Sequence, residues 1–204
     1  MNISKISTYH NTVRFIISLW LLIILGGCSQ HTAKISVLSN PTCQPPCWQN
    51  IEPGKSTVSE VVKLLQSNAM IDSKSITIRG ESWKIFNDIV YFLSNSNKVK
   101  GEIYFLDGNV AMILLAGEVN VSFGQAIDTF GDPEYIINIP MIMGPPGIPT
   151  TSYEIIALKP KMGVEFGYDT RDISRANRSE VKPKNELSLI SFFDPNVYDN
   201  LLEV

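Results

Sequence analysis

The stretch EVNVSFGQAIDTFGDPEYI, residues 118–136, contains start and end signals of a helix that also guide the interpretation of the rest of the chain. Ser122 and Gln125 have the spacing of a capping box, in which each side chain satisfies a backbone N–H at the start of a helix. The residues that follow at helical spacing are apolar: Ala126, Ile127 and Phe130. Gly131 and Pro133 are typical of a helix end. The stretch therefore predicts a short amphipathic helix.

A second copy of this pattern lies 65 residues earlier, in IEPGKSTVSEVVKLLQSN, residues 51–68. Thr57 and Glu60 form the corresponding capping box. The apolar positions again have helical spacing: Val58, Val61, Val62 and Leu65. We predict a helix at about 57–67.

Each predicted helix is followed by strand-like runs rich in β-branched and aromatic residues. After the first helix these are SITIR, SWKIF, IVYFL, VKGEIYFL and NVAMILLAG, and after the second PEYIINI, TSYEIIALK, GVEFGYD and ELSLISFFD. Asp107-Gly108-Asn109 predicts a hairpin turn, and Asn87-Asp88 is interpreted as a turn between two further strands. Such short connections favour antiparallel pairing.

Helix followed by strands occurs twice, so the chain contains a weak internal repeat. We predict an α+β fold in which two short capped helices pack on antiparallel sheet, as tandem helix-plus-sheet units at 51–117 and 118–204. A capped helix ending in Gly131-Asp132-Pro133 before a strand resembles the unit of the BamE-like small lipoproteins of the outer-membrane β-barrel assembly machinery. Two such units in tandem resemble the fold of the β-lactamase inhibitor protein. The first copy departs from the pattern, because it has Gln66-Ser67-Asn68 at its end.

The amino-terminal residues 1–27 have the composition of a signal peptide. Residues 15–25, FIISLWLLIIL, are almost wholly apolar but too short to span a bilayer, which takes roughly 20 residues. Leu25-Gly26-Gly27-Cys28 resembles the lipobox of bacterial lipoproteins, which implies cleavage before Cys28 and transfer of a diacylglycerol to its sulfur. A secreted protein cut elsewhere and an uncleaved anchor are the alternatives. Acyl chains on Cys28 would hold the protein to a membrane.

Ser29 follows the cysteine, and in the lipoprotein family this residue implies the outer membrane in a cell with two membranes. In a cell with one membrane the anchor would lie in the outer face of that membrane. We interpret residues 28–50 as the lipidated cysteine and a tether, with Trp48 and Ile51 beginning the core. The segment PTCQPPCWQNIEPGKST, residues 41–57, resembles uncharacterised bacterial lipoproteins for which no activity can be carried over.

Two cysteines remain once Cys28 is assigned to lipid. Cys43 and Cys47 lie in CQPPC, and in an oxidising compartment we predict a disulfide between them. A metal site would need more ligands, and redox motifs space their cysteines differently. Free thiols are the other alternative.

The charge excludes one large class of function. The whole chain of 204 residues carries −3, and without Lys5 and Arg14 of the signal peptide it is near −5. Nucleic-acid-binding proteins show a clustered positive surface. We therefore expect no nucleic-acid partner.

The residues that usually carry catalysis are scattered. His31 is the one histidine outside the signal peptide, so neither a Ser-His couple nor a two-histidine metal site can be built. The carboxylates Glu81, Asp88, Glu102 and Asp107 are expected at turns or strand ends. DTRD at 169–172 lacks a calcium-loop pattern. We predict no catalytic set, no metal and no cofactor.

The most unusual segment is IPMIMGPPGIPT, residues 139–150, which is apolar yet interrupted by four prolines. Proline excludes a regular helix or a central strand. The segment is therefore either a loop laid over the sheet or an exposed loop that contacts a partner, and methionine suits adaptable contact. The candidate partner-binding residues are Met141, Ile142, Met143 and Ile148. The polar segment 171–186 is interpreted as a solvated excursion between strands.

The leading functional hypothesis is a non-catalytic binding or envelope-assembly lipoprotein. A periplasmic hydrolase that acts on glycans with carboxylates alone is the alternative, and a protein inhibitor is a third hypothesis that rests on fold resemblance. Clustered acids of raised pKa in one cleft would favour the enzyme. An open apolar patch around 139–150 would favour binding.

Overall fold

The computed structural model describes residue 38 and residues 43–83, 86–143, 150–169 and 182–197. All of them belong to the second of two compact units, Ile35–Val204. The predicted signal peptide, Cys28, His31 and Ile148 lie outside the described residues, as does most of the polar segment 171–186.

The first half of the fold is a helix followed by four strands. Helix α1, Val58–Ser67, begins at the predicted capping box, where the Thr57 backbone N–H donates to Glu60 Oε2 over 2.8 Å. A single turn of 3₁₀ helix, Ser73–Ser75, leads into the sheet. The four strands are β1 Thr77–Trp83, β2 Phe86–Leu93, β3 Val99–Leu106 and β4 Asn109–Gly117. The β3–β4 hairpin turns at Asp107 and Gly108, both at positive φ, as predicted.

The second half repeats this order. Helix α2, Phe123–Phe130, begins at a reciprocal capping box between Ser122 and Gln125 and ends at Gly131, whose φ is 78°. The Lys159 amine donates to the Phe130 carbonyl over 2.6 Å, which satisfies a free carbonyl at the helix end. The strands are β5 Tyr135–Met143, β6 Thr150–Lys159, β7 Val164–Asp169 and β8 Leu189–Phe193.

The eight strands of the described residues form one antiparallel sheet in the order β1-β2-β3-β4-β8-β7-β6-β5. Each half is a meander in which neighbouring strands pair in sequence. The two meanders join where β4 pairs with β8, at positions such as Leu114 with Ser191. The α+β prediction is therefore confirmed, and the two helix-then-strands units share a single sheet.

The main core lies between this sheet and the two helices. Val61 and Leu65 of α1 and Phe123, Ala126 and Phe130 of α2 are buried in it. Strand side chains of one alternation complete it: Val90, Phe92, Ile103, Phe105, Ile113, Leu115, Ile155, Ala157, Phe166, Tyr168, Ile190 and Phe192. Trp48 and Ile51 are also buried there, as predicted, and Trp48 stacks on Phe92 at 5.7 Å between ring centroids.

The predicted turn at Asn87-Asp88 is wrong. Both residues lie inside β2, where Asp88 pairs with Phe105 on one side and with Gly80 on the other. The chain instead reverses between Trp83 and Phe86. The Asn-Asp pair lacks the glycine of a strong hairpin signal, and cross-strand pairing on both sides outweighs its turn preference.

The expectation of an irregular loop from residue 139 onward is also wrong in part. Residues 139–143 continue β5, and Pro140 is paired in register with Tyr153 of β6. β5 is an edge strand of the sheet, and an edge strand tolerates a proline because one side of its backbone needs no hydrogen-bond partner. Residues 144–149 lie outside the described residues.

Candidate functional site

The sheet has a second face, turned away from α1 and α2, which we call the far face. It carries a smaller apolar cluster of Phe86, Ile89, Tyr104 and Ala111, against which Val197 of the short helix Pro195–Val197 packs. Alternation assigns the remaining far-face positions, because successive strand residues point to opposite sides. Ile103, for example, belongs to the main core, and its neighbour Tyr104 to the far-face cluster.

One row of far-face residues is in register across all eight strands. In the spatial order of the sheet, from the β1 edge to the β5 edge, its residues are Thr77, Tyr91, Glu102, Leu114, Ser191, Glu165, Leu158 and Tyr135. The row shows that both halves of the chain present side chains on one continuous surface.

The neighbouring row contains an uncharged stretch that we call the apolar stripe. It consists of Ala116, Leu189, Gly167, Ile156 and Ile137, one residue on each of β4, β8, β7, β6 and β5. Neighbouring strands are about 4.8 Å apart, so the stripe is roughly 19 Å long. Ala116, Leu189 and Ile156 are half-buried, Gly167 is buried and Ile137 is exposed, so the stripe is most accessible at its β5 end.

Strand β5 is the most exposed apolar part of the described chain. The exposed fractions are 59% for Tyr135, 55% for Ile136, 40% for Ile137 and 40% for Ile139. Tyr135, Ile137 and Ile139 are in register with far-face residues of β6, and Ile136 with the core residue Ala157. Because β5 ends the sheet, apolar side chains are exposed on both of its faces.

The other end of the far face, on β1–β3, carries charge. The Arg79 guanidinium lies 5.2 Å from the ring centroid of Tyr91, a cation–π contact. The Tyr104 hydroxyl donates to a carboxylate oxygen of Glu102, and Lys100 is exposed. The far face therefore carries Arg79, Lys100 and Glu102 at its β1–β3 end, and at the other end the apolar stripe with Glu165 and Glu154 in neighbouring rows.

The carboxyl group of Glu165, on the far face, has a raised pKa. It lies between the buried residues Leu158 and Ser191 of the neighbouring strands. Burial, and to a smaller extent the charge of Glu154, raises the pKa of Glu165 from 4.5 to about 7. Glu154 is four residues from Leu158 along β6, about 13 Å of strand. The raised pKa of Glu165 thus arises mainly from desolvation.

Cavities open at several places on the described residues. The first, of about 380 Å³, lies beside Trp48 and Phe92, and the second, of about 220 Å³, lies between the CQPPC loop and Phe130. The third, of about 450 Å³, is an open polar groove along α1 that includes Lys55 and Ser56. Lys55 forms an ion pair with Glu52 at 2.5 Å, and the Ser56 hydroxyl accepts from the Glu52 N–H.

The structure places the predicted site residues as follows. Cys43 and Cys47 are joined by a disulfide, and their loop lies near Phe130 and Phe192. The backbone of Met141, Ile142 and Met143 lies in β5.

Three of the four candidate carboxylates are not where the sequence indicated. Asp107 lies in the hairpin turn, as expected. Glu81, Asp88 and Glu102 instead lie within β1, β2 and β3. Among the residues that the structure describes, no group of three His, Cys, Asp or Glu side chains is close enough to hold a metal ion.

Sequence reasoning missed Ile156 and Leu189 of the apolar stripe, together with the exposed residues of β5 before 139. The alternation in PEYIINI and TSYEIIALK was visible. What was missing was the strand order, because Ile137 and Leu189 share a face only if β5, β6, β7 and β8 are neighbours.

None of the described helices has the length and apolar character needed to cross a bilayer. Comparison of this chain with protein-family models, with curated proteins and with solved structures found no match.

Proposed function

We propose that this chain is a non-catalytic, lipid-anchored protein that binds a protein partner outside the cytoplasm through the β5 end of its far face. The apolar stripe is the observation that carries the proposal. Four of its five residues are aliphatic, no charge interrupts it over five strands, and it ends at exposed Ile137. Such contiguous apolar surface is typical of interaction sites.

The composition of the whole far face favours a protein partner. Interfaces between proteins combine an apolar centre with aromatic, methionine and arginine side chains near it. The far face has Tyr91, Tyr135, Met112 and Arg79 around the stripe and the cluster of Ile89. The charged end would set the orientation of the partner, and the apolar end would supply most of the binding free energy.

The anchor is proposed on the sequence of the first 28 residues. The lipobox-like Leu25-Gly26-Gly27-Cys28 follows an apolar run that is too short to span a membrane. The disulfide between Cys43 and Cys47 supports an oxidising compartment, where such bonds persist. The proposed location is the outer membrane of a cell with two membranes, or the outer face of the single membrane of other cells.

The raised pKa of Glu165 is the observation that favours the second candidate, a carboxylate-dependent hydrolase. Glycosidases place two carboxyl groups about 5–9.5 Å apart across one cleft. The backbones of Glu165 and Glu154 are offset by about 13 Å along the strands, although their side chains are near enough for the charge of Glu154 to raise the pKa of Glu165. Neither residue lines any of the three cavities described above. Binding therefore accounts for the geometry better than hydrolysis does.

The partner proposal is tested by site-specific photocrosslinking in native membranes. A photoreactive amino acid is placed at Ile137 on the far face, at Ile136 on the opposite face of the same strand, and at Ile78 on the opposite edge of the sheet. Ile78 is 53% exposed and so is a matched control. We expect one discrete protein adduct from position 137 and at least tenfold less from positions 136 and 78.

Charge substitutions test whether the apolar surface is responsible for crosslinking of the partner at position 137. Ile139→Asp puts a charge on the same end of the far face, and Ile78→Asp makes the same change on the other edge strand. Capture from position 137 should fall at least tenfold in the first and stay unchanged in the second. Equal capture from all three positions, or recovery of the protein alone, would overturn the proposal.

The anchor is tested separately by labelling cells with an alkyne-tagged fatty acid. The wild-type chain should incorporate the label and sediment with membranes, and Cys28→Ser should do neither. A full-length, unlabelled wild-type chain in the soluble fraction would contradict the anchor and leave the partner surface to be judged by the crosslinks.

A further inference from the structure

The cavity of about 380 Å³ beside Trp48 lies on the helix side of the sheet, away from the far face. Its inner wall is apolar and made of core residues: Trp48, Ile71, Phe92, Val99 and Leu115. Its mouth is polar and formed by Ser94, Asn95, Ser96, Glu118 and Asn120, with Ala69 and Met70 beside them. Small-molecule sites have this construction, with an apolar interior and a few polar groups that set orientation.

The walls of this cavity are tied together by hydrogen bonds. The Asn95 backbone N–H donates to the Met70 carbonyl over 2.9 Å, and the Asn95 side-chain amide donates to the Ala69 carbonyl over 2.6 Å. The Glu118 N–H donates to the Lys98 carbonyl over 3.0 Å. The loops that surround the opening therefore hold one another in place, and a ligand would meet a preformed site.

The charge at the mouth restricts the ligand. Among the described residues that line the cavity, Glu118 is the one that is charged, and the Lys98 amine holds its carboxylate at 2.6 Å. A cationic ligand would have to compete with Lys98 for Glu118, and an anionic ligand would meet the Glu118 carboxylate. An uncharged ligand loses no hydration of charge on entering the apolar interior.

The size of the cavity further restricts which ligands can bind. A water molecule takes up about 30 Å³ in the liquid, and a methylene group is of similar size. A volume of about 380 Å³ thus holds roughly a dozen non-hydrogen atoms. We infer that this cavity binds an uncharged apolar molecule of about that size, with one hydrogen-bonding group placed among Ser94, Asn95 and Asn120.

The test is photoaffinity labelling of the purified protein with decanol that carries a diazirine, followed by mapping of the labelled peptides. We expect labelling in residues 64–74 and 85–98, which flank the cavity. Unlabelled decanol and 4-hydroxybiphenyl should both compete, since chain and ring forms share the required chemistry. The decylammonium form of the probe should label these peptides at least tenfold less.

Two variants separate binding in the cavity from binding to other apolar surface. Ala69→Phe fills the mouth, and Gln66→Phe adds the same ring at an exposed position that does not line the cavity. Labelling should fall at least tenfold in the first and stay unchanged in the second, with both variants retaining the wild-type melting temperature within a few degrees. Should Ala69→Phe unfold the chain, Ser96→Phe at the same mouth replaces it. Labelling that persists in a folded, filled variant, or that spreads evenly over the far face, would overturn the inference.

Discussion

At the residue scale, Glu165 makes the free energy of unfolding depend on pH. Its pKa in the folded protein is about 7, above the ordinary value of 4.5, because burial disfavours the charged form. Between these two values the unfolded chain has lost this proton and the folded chain keeps it. The free energy of unfolding therefore falls as pH rises from about 4.5 to about 7, and the loss is complete above that range.

Glu165→Gln should remove this dependence. The difference in pKa corresponds to at most about 3 kcal/mol, so the variant should be more stable than wild type at pH 8 and little different at pH 4. Glu154→Gln should have a smaller effect, because burial is the larger cause of the shift. Urea unfolding at a series of pH values measures this, and an unchanged pH slope in Glu165→Gln would contradict the assignment.

A second residue-scale constraint is the space at Gly101. Gly101 lies directly opposite Phe92 on β2, and a Cβ at position 101 would overlap the Phe92 ring. That ring stacks on Trp48 and lines the first cavity. Gly101 is therefore required by packing rather than by an unusual backbone angle.

Gly101→Ala should destabilise the fold by about 1–3 kcal/mol, the usual cost of overpacking a core. It should also displace Phe92 and change the fluorescence of Trp48. Gly80→Ala is the matched control, because the nearest atom to its Cβ would be 3.8 Å away. Thermal unfolding and tryptophan emission measure both effects, and equal losses in the two variants would show that packing on Phe92 is not the cause.

At the element scale, the two helices begin at capping boxes that differ in detail. At α2 the bonds are reciprocal, with the Ser122 N–H donating to Gln125 Oε1 over 2.8 Å and the Gln125 N–H donating to Ser122 Oγ over 3.2 Å. At α1 the Glu60 carboxylate accepts from both the backbone N–H and the hydroxyl of Thr57. These bonds lower the pKa of Glu60.

Removal of each cap should therefore have unequal effects. Ser122→Ala should cost about 1 kcal/mol, because it deletes the acceptor of a helix N–H. Thr57→Ala should cost less, since its backbone N–H keeps the Glu60 carboxylate. Chemical denaturation of the two variants gives the comparison, and a larger loss in Thr57→Ala would show that the hydroxyl is the main cap at α1.

The elements also show which features can be inferred from local pattern. Both helices and the Asp107-Gly108 hairpin follow from side chains within a few residues of one another, and all three were predicted. The start of β2 and the end of β5 were not, because the form of these segments depends on partners distant in sequence. Asp88 is held by β1 and β3, and Pro140 is tolerated only because β5 ends the sheet. The same dependence on strand order hid the apolar stripe.

At the scale of the whole molecule, the pairing of β4 with β8 unites the two meanders. Ile190 and Phe192 of β8 are buried in the same core as Ile113 and Leu115 of β4. Ser191, between them, is buried on the far face beside Glu165. Ser191 and the core residues of the seam are therefore buried, in contrast to the exposed edge at β5.

Proline substitution should distinguish these two places. Ser191→Pro removes a backbone donor from the centre of the sheet and should prevent folding of the chain. Asn138→Pro is in a strand that already accommodates Pro140 two residues further on, and it should cost less than half as much. Circular dichroism and hydrogen exchange report the outcome, and a folded Ser191→Pro variant would show that the halves are stable without their seam.

The position of β8 has a consequence for the order in which the sheet can be completed during synthesis. Strands β1 to β4 are synthesised first. The next strand, β5, forms the opposite edge of the sheet, so the sheet grows inward from both edges. The central gap is closed by a strand that is translated after the other seven. A premature stop before Leu189 would therefore leave both β4 and β7 unpaired on one side and open to pairing with other chains. Loss of an edge strand would leave only one such strand.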